Sequence, residues 1–329
     1  MNRLRTRTNL GRLASMVACL LAAATSSAQP AAAKTTITSL NIRILSTMLA
    51  DEGFGEWGFA ALVEVDGHRI LFDTGAHEDT VERNLAALGL DLADVDTVIL
   101  SHNHDDHTSG LLTLRRRFMT ASSRALSQVY VGKGIFWPRV GADGRVDDHM
   151  ARIKREFEAT GGSFVELAGP KEILPGVWLT GPVPRVHPER NWSTLGKVRS
   201  DAGEVEDTVP EDMALVFQTP QGLVELFGCG HAGVINTLAH TRKTIDASRV
   251  RAVIGGLHLF ANDDKGLSWT ASQLKAFGVD ELVGAHCTGI EAVYRIRAEA
   301  GLTRQTCMVG AVGASYSLAK GINPMRVAK

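Results

Sequence analysis

Residues 102–107 read His102-Asn103-His104-Asp105-Asp106-His107, three imidazoles and a well-placed carboxylate within one short stretch. Hydrophobic packing has no use for such a density of polar groups, whereas a bound cation does. The stretch directly follows Asp96-Thr97-Val98-Ile99-Leu100-Ser101, whose short β-branched apolar run predicts a buried strand. The fold must therefore bring the end of that strand to a ligand-binding edge, where loops leave the sheet of a layered α/β protein. His102 and His104, two apart in an extended segment, point the same way and can share one metal ion. Asp106 and His107, past a bend, can serve a second ion beside it.

The start of the chain differs from the rest. Arg3, Arg5, Arg7 and Arg12 precede an apolar, small-residue run from Leu13 to Thr25, followed by Ser26-Ser27-Ala28 and Ala31-Ala32-Ala33. This pattern predicts a secretory signal peptide over 1–33, cleaved after Ala28 or Ala33, and a secreted or periplasmic product. A membrane anchor is the alternative reading, but the run is shorter than the roughly 20 residues a spanning helix needs. Residues 34–329 then suffice for one large domain. A formal charge of -1 indicates neither a nucleic-acid footprint nor a polybasic membrane patch, and the triplet Arg115-Arg116-Arg117 reads as a solvated helix end. After processing, Cys229, Cys287 and Cys307 remain, an odd number that argues against a disulfide framework and allows one bridge at most.

Strand-like runs cover 36–45, 60–65 and 69–72, with Asp66-Gly67 as a hairpin turn. A helix over 78–88, ended by Gly89, leads to the strand 97–101. The second half alternates in the same way: strands 222–227, 250–254 and 281–284, and helices 231–244, 268–277 and 289–300. Residues 128–212 are less regular. They fit either a cap that selects the substrate or plain connecting structure.

The motif His-x-His-x-Asp-His after a strand, preceded by Leu71-Phe72-Asp73-Thr74-Gly75, resembles the metallo-β-lactamase superfamily of metal-dependent hydrolases. Gly228-Cys229-Gly230-His231-Ala232-Gly233, Gly255-Gly256-Leu257-His258-Leu259 and Ala285-His286-Cys287-Thr288-Gly289 resemble its dihydropterin-ribofuranosylaminobenzene phosphate synthase-like branch. The resemblance runs from about residue 36 to the C-terminus and implies an α/β fold of four layers, an αββα sandwich. His231 and His286 follow strand-like runs, flanked by small residues, and are the best further ligands. The expected division is His102, His104 and His231 on one ion, with Asp106, His107 and His286 on the other. His258 fits either contact with ligand or substrate, or core packing. By resemblance Asp73 braces the histidine loop from behind the ligands. The chain departs from the superfamily in showing Gly228-Cys229 where a metal-bridging aspartate is usual; Cys229 fits either a thiolate ligand or a small buried residue.

Two divalent ions, zinc first with manganese or iron as alternatives, lower the pKa of a shared water towards about 7 and make hydroxide available at neutral pH. Hydrolysis of a small ester-like substrate, such as a lactone or phosphoester, follows, with Asp106 as the catalytic carboxylate that orients the nucleophile and accepts a proton. No nucleophile elbow, P-loop or dinucleotide fingerprint competes. Helices starting near His231 and Thr288 offer free N–H groups to an anionic part of that substrate. A synthase-type transferase and a non-catalytic metal- or ligand-binding module are the alternative functions.

Overall fold

The computed structural model describes residues 35–193 and 195–328; the signal-peptide expectation falls on 1–33, outside the described residues. Among the described residues, no helix is long and apolar enough to cross a membrane. The elements stack as helices, sheet, sheet, helices, the αββα arrangement that the resemblance implies.

The first sheet has eight strands, in the order Gly321–Asn323, Ser315–Ser317, Leu40–Ser46, Ala60–Val65, His68–Phe72, Thr97–Leu100, Gln128–Gly132 and Ser163–Leu167. The second has seven: Cys307–Val309, Glu281–Gly284, Val250–Gly255, Gly222–Phe227, Leu215–Thr219, Val177–Leu179 and Lys171–Leu174. Alternation along each strand feeds two cores at once, which is why the strands read as continuous apolar runs. In Ala60–Val65, Ala61 and Val63 join Phe72, Ile99, Phe217, Val224 and Ile254 between the sheets. Leu62 turns the other way, with Leu71, Val98 and Leu100, onto Val81, Leu85, Leu114 and Phe157 of the outer helices. The second sheet does the same with Val216, Leu223 and Val253 against Leu238, Leu274 and Ile296. Burying a side chain of this size contributes roughly 1.5–3 kcal/mol.

Local signals place the elements. Asp66 and Gly67, at φ 44 and 82, turn between paired Val65 and His68, as a two-residue hairpin of primed type requires. Asp263 accepts from the amide of Gly266 at 2.8 Å and caps the helix Asp264–Phe277. The helix expected over 231–244 begins three residues later, as Val234–Thr244, and leaves His231 in the loop before it.

Residues 128–212 are neither a simple cap nor plain connection. They supply two strands to each main sheet and, besides the helix His149–Glu158, four short strands that form a third sheet in the order Gly203–Glu206, Lys197–Ser200, Arg139–Val140, Val146–Asp147. The arginine triplet also differs from expectation. Arg115 is 1 % exposed and donates to the carbonyls of Ser123, Ala125 and Thr160, because it continues the buried face Leu111, Leu114, Phe118 of its helix. Arg116 and Arg117 face outwards and pair with Glu156 and Glu82.

Glu225 lies in the helix-covered core of the second sheet. The Thr241 hydroxyl donates to its Oε2 at 3.3 Å, while Oε1 has no partner. Burial pushes this carboxyl from 4.5 up to about 8, against the smaller opposing effect of the Thr241 bond. The folded-state value is the higher one, so the stabilising contribution of the protonated acid is complete below about pH 4.5 and is lost as pH rises through about 8. Glu225→Gln should therefore gain stability over the parent by up to a few kcal/mol at about pH 9, but not at about pH 5. Denaturant unfolding at the two pH values measures this; a pH-independent difference would contradict it.

Candidate metal centre

The register of the parallel strands puts their C-terminal ends level. Phe227, Gly255 and Gly284 are successive partners in the second sheet, so the segments that follow, carrying Cys229, His231, His258 and His286, emerge side by side. In the first sheet Phe72 pairs with Ile99, and Asp73 and the histidine loop leave together. Both sheets thus deliver polar side chains to one edge, the usual position of a site in open parallel sheets.

The rings of His102, His104 and His231 surround a common point, with centroids 4.6 to 4.7 Å apart. His102 Nδ1 contacts the Ser101 hydroxyl at 2.9 Å, and His231 Nδ1 donates to the carbonyl of Asn191 at 2.5 Å. Their Nε2 atoms are buried without any hydrogen-bond partner. A buried acceptor of this kind is costly unless something fills the space, and an ion is the group that suits a convergence of neutral imidazoles. Burial, followed by the neighbouring histidines, holds His102 and His231 well below the ordinary imidazole range. Burial likewise brings His104 down to about 4, with Asp106 opposing. All three are uncharged at neutral pH, as ligation requires.

Beside them, His107 Nε2 lies 3.3 Å from His286 Nε2 and 3.1 Å from Cys229 Sγ, and Asp106 Oδ2 lies 3.1 Å from His286 Nε2. Asp106, His107, Cys229 and His286 offer donor atoms within 4.8 Å of one another, as do His102, Cys229 and His231, and His102, His104 and Asp106. The six proposed ligands are thus brought together. Cys229, open to two readings from sequence, is 2 % exposed and touches ligand atoms. His258 stands at the rim, its ring 4.4 Å from that of His231 and its Nδ1 buried without a partner. Burial works to raise the Asp106 carboxyl, but its bond to His286 and the charges of His107, His286 and His104 outweigh that and hold it below the usual carboxylate range.

Asp73 organises the loop. Its Oδ1 accepts from the Ser101 amide at 2.7 Å, and its Oδ2 from the Ser101 hydroxyl at 2.8 Å and His107 Nδ1 at 2.7 Å. The His107 contact fixes Nε2 towards the site. The residue opposite must be glycine: a Cβ on Gly228 would stand 2.0 Å from Ser101 Oγ and 2.6 Å from Asp73 Oδ2. Asp73, His258 and His286 all have positive φ, at 56, 50 and 47, a conformation costly for side chains other than glycine and concentrated here at one site.

Several contributors escaped the sequence reading. The amide of Asn103 donates to Glu211 Oε1 at 3.1 Å and its carbonyl accepts from His149 Nε2 at 2.8 Å, so the centre of the histidine loop is gripped from the 128–212 segment. Arg139 holds Glu211 in turn at 2.6 Å. Trp57 and Phe260, about half exposed with rings 5.5 Å apart, stand over His286 and His258. A cleft of about 240 Å³ reaches the site between Trp192, Asp207 and Val209 on one side and His104, His231 and His258 on the other. A larger cavity, of about 380 Å³, lies at the opposite ends of the strands around His68, Asp94 and Gln128, away from the ligand cluster. The anion site expected at the start of the helix Val234–Thr244 is filled by the chain itself, because Glu189 accepts from the amides of Ile235 and Asn236 at 3.0 and 2.7 Å.

An αββα sandwich with histidine, aspartate and cysteine ligands gathered at one edge of both sheets defines a class of metal-site proteins. The sequence profile of the metallo-beta-lactamase superfamily matches residues 58–241, and the chain belongs to that superfamily. Members usually bind divalent metal ions, and the residues gathered here fit such ions. The chain is 29% identical, over 248 residues, to the 7,8-dihydropterin-6-methyl-4-(beta-D-ribofuranosyl)-aminobenzene-5'-phosphate synthase of Methanocaldococcus jannaschii, covering 73% of this chain and 83% of the relative. Among solved structures it is similar to Tm1679, a metal-dependent hydrolase of the beta-lactamase superfamily, with a TM-score of 0.67 and 26% identity over 88% of this chain and 100% of that one. Zinc-bound PqqB from Methylobacterium extorquens, at TM-score 0.52 and 16% identity over 84% of this chain and 100% of its own, shares the fold.

Proposed function

We propose that the chain is an exported, metal-dependent hydrolase of a small ester-like molecule, a lactone, phosphoester or related compound, holding two zinc-like ions. His102, His104 and His231 would hold one, and Asp106, His107 and His286 the other, with Cys229 within reach of both groups. The observation that carries this reading is the pair of buried, unpartnered Nε2 atoms of His102 and His231 turned into the cluster. Ions bound there supply Lewis acidity for an attacked carbonyl or phosphoryl oxygen and lower the pKa of a bound water. The chain's own groups do the rest. Asp106, ionised at neutral pH, accepts a proton and orients the attacking group. Asp73 and the Asn191 carbonyl hold His107 and His231 in the required tautomers, and Trp57, Phe260 and Trp192 offer apolar surface at the rim for the body of the substrate.

The test is turnover of a panel of esters, lactones, phosphodiesters and β-lactams by the metal-loaded protein. At least one should be hydrolysed, chelation should abolish the activity, and zinc should restore it. Intact mass of the exported product should place its N-terminus at Gln29 or Lys34. Similarity to the synthase favours a second reading, a synthase-type transferase. A metal-loaded protein that hydrolyses nothing on the panel but transfers a group to a pterin precursor would establish that reading instead.

A further inference from the structure

Cys229 Sγ and Cys287 Sγ lie 3.2 Å apart, in segments that follow strands Gly222–Phe227 and Glu281–Gly284. The strand Val250–Gly255 runs between those two, and what lets the sulfurs meet is Gly256, just past its end. A Cβ on Gly256 would stand 3.0 Å from Cys287 Sγ and 2.1 Å from the carbonyl oxygen of Gly228. Cys307 takes no part, since its thiol donates to the Val293 carbonyl at 3.6 Å on the helix side of the sheet. The Cys229 sulfur therefore faces Cys287 on one side and ligand atoms on the other: His107 Nε2 at 3.1 Å, within the group formed with Asp106 and His286, and the donor atoms of His102 and His231.

We infer that Cys229 and Cys287 form a reversible disulfide, which draws the Cys229 sulfur out of the metal-ligand group and lowers the metal content of the site. A disulfide sulfur pair is about 2.05 Å apart, so the two must close by about 1 Å, a movement that small side-chain rotations provide. Hydrogen peroxide is a sufficient oxidant and is small enough to enter by the cleft at His104 and His258. One sulfur attacks a peroxide oxygen, the O–O bond breaks, and water leaves a sulfenic acid behind. The second sulfur attacks the first, the S–O bond breaks and a second water departs with the remaining thiol proton. The two sulfurs together lose two electrons, and the peroxide is reduced to two waters. A dithiol reverses the reaction by exchange. This inference concerns the occupancy of the site and stands whichever reaction the site performs.

The zinc-loaded full chain, treated with peroxide, blocked with N-ethylmaleimide after denaturation and digested, tests it. Cys229 and Cys287 should both lose the label, their peptides should appear joined and about two mass units lighter, and Cys307 should keep its label. Zinc retained after desalting should fall by about twofold, and dithiothreitol followed by zinc should restore it. Cys287→Ser leaves the Cys229 sulfur beside His102, His107 and His231, and although Cys287 also forms a donor group with Cys229 and His258, this variant should keep under the same treatment whatever zinc it holds untreated. Both cysteines still labelled, separate sulfinic acids, or a joined protein that keeps all its zinc would overturn the inference, and the peptide map of the parent decides even if the variant does not fold.

Discussion

Alanine in place of Asp73 is expected to lower the unfolding free energy by about 3 kcal/mol and metal affinity by roughly ten- to a hundredfold. The stability loss has two sources. The Ser101 amide and His107 Nδ1 lose their shared acceptor in a fully buried place, and each orphaned donor costs about 1–3 kcal/mol. Alanine also tolerates the φ of 56 less well than aspartate, whose short polar side chain can bond locally. The affinity loss comes from His107, which is then free to rotate or change tautomer. Asp73→Asn separates the two effects. Its remaining oxygen can serve the Ser101 amide, while its NH2 group faces either the Ser101 hydroxyl or His107 as a donor. Asparagine should thus recover part of the stability and little of the affinity. Urea unfolding and competitive metal titration measure both. An alanine variant that binds metal within about twofold of the parent would show that the brace does not orient the ligand.

Asp106→Asn should reduce kcat by about two to three orders of magnitude and change KM far less. The substitution preserves the size of the side chain and removes the charge held low by its bond to His286 and by the surrounding histidines, despite burial. What is lost is an anionic acceptor beside the reacting atoms, which matters more to the transition state than to the bound substrate. Steady-state kinetics together with metal analysis of the same preparation separate chemistry from occupancy. A variant with full metal and full kcat would remove Asp106 from the mechanism.

The main sheets were legible because their strands are buried on both faces. Ala60–Val65, Gly222–Phe227 and Glu281–Gly284 have the bounds expected, since two-sided burial selects unbroken apolar runs. The histidine loop announced itself by density, and the second-half histidines by their place after strands. Residues 128–212 resisted because their strands are short and are shared among three sheets, with partners far away in sequence; Arg139–Val140 pairs with Lys197–Ser200, for example. Glu211, His149 and Asn191 consequently gave no signal. Each acts through one hydrogen bond whose partner only the folded chain identifies. Arg115 was hidden by its charge, although its spacing from Leu111, Leu114 and Phe118 already placed it on the inward face of the helix.

His107 and His286, whose Nε2 atoms stand 3.3 Å apart, are separated by 179 positions in the chain and follow strands of different sheets. An ion bound by both would be a clasp as well as a reagent. It would join segments from the two halves of the sandwich and, because the unfolded chain does not hold both ligands together, would stabilise the fold by binding the folded state alone. The ligands come together only once both sheets have docked, so the chain would acquire its tightest hold on metal at the moment it completes its fold. Metal supply would then set the stability of the folded chain as well as its chemistry.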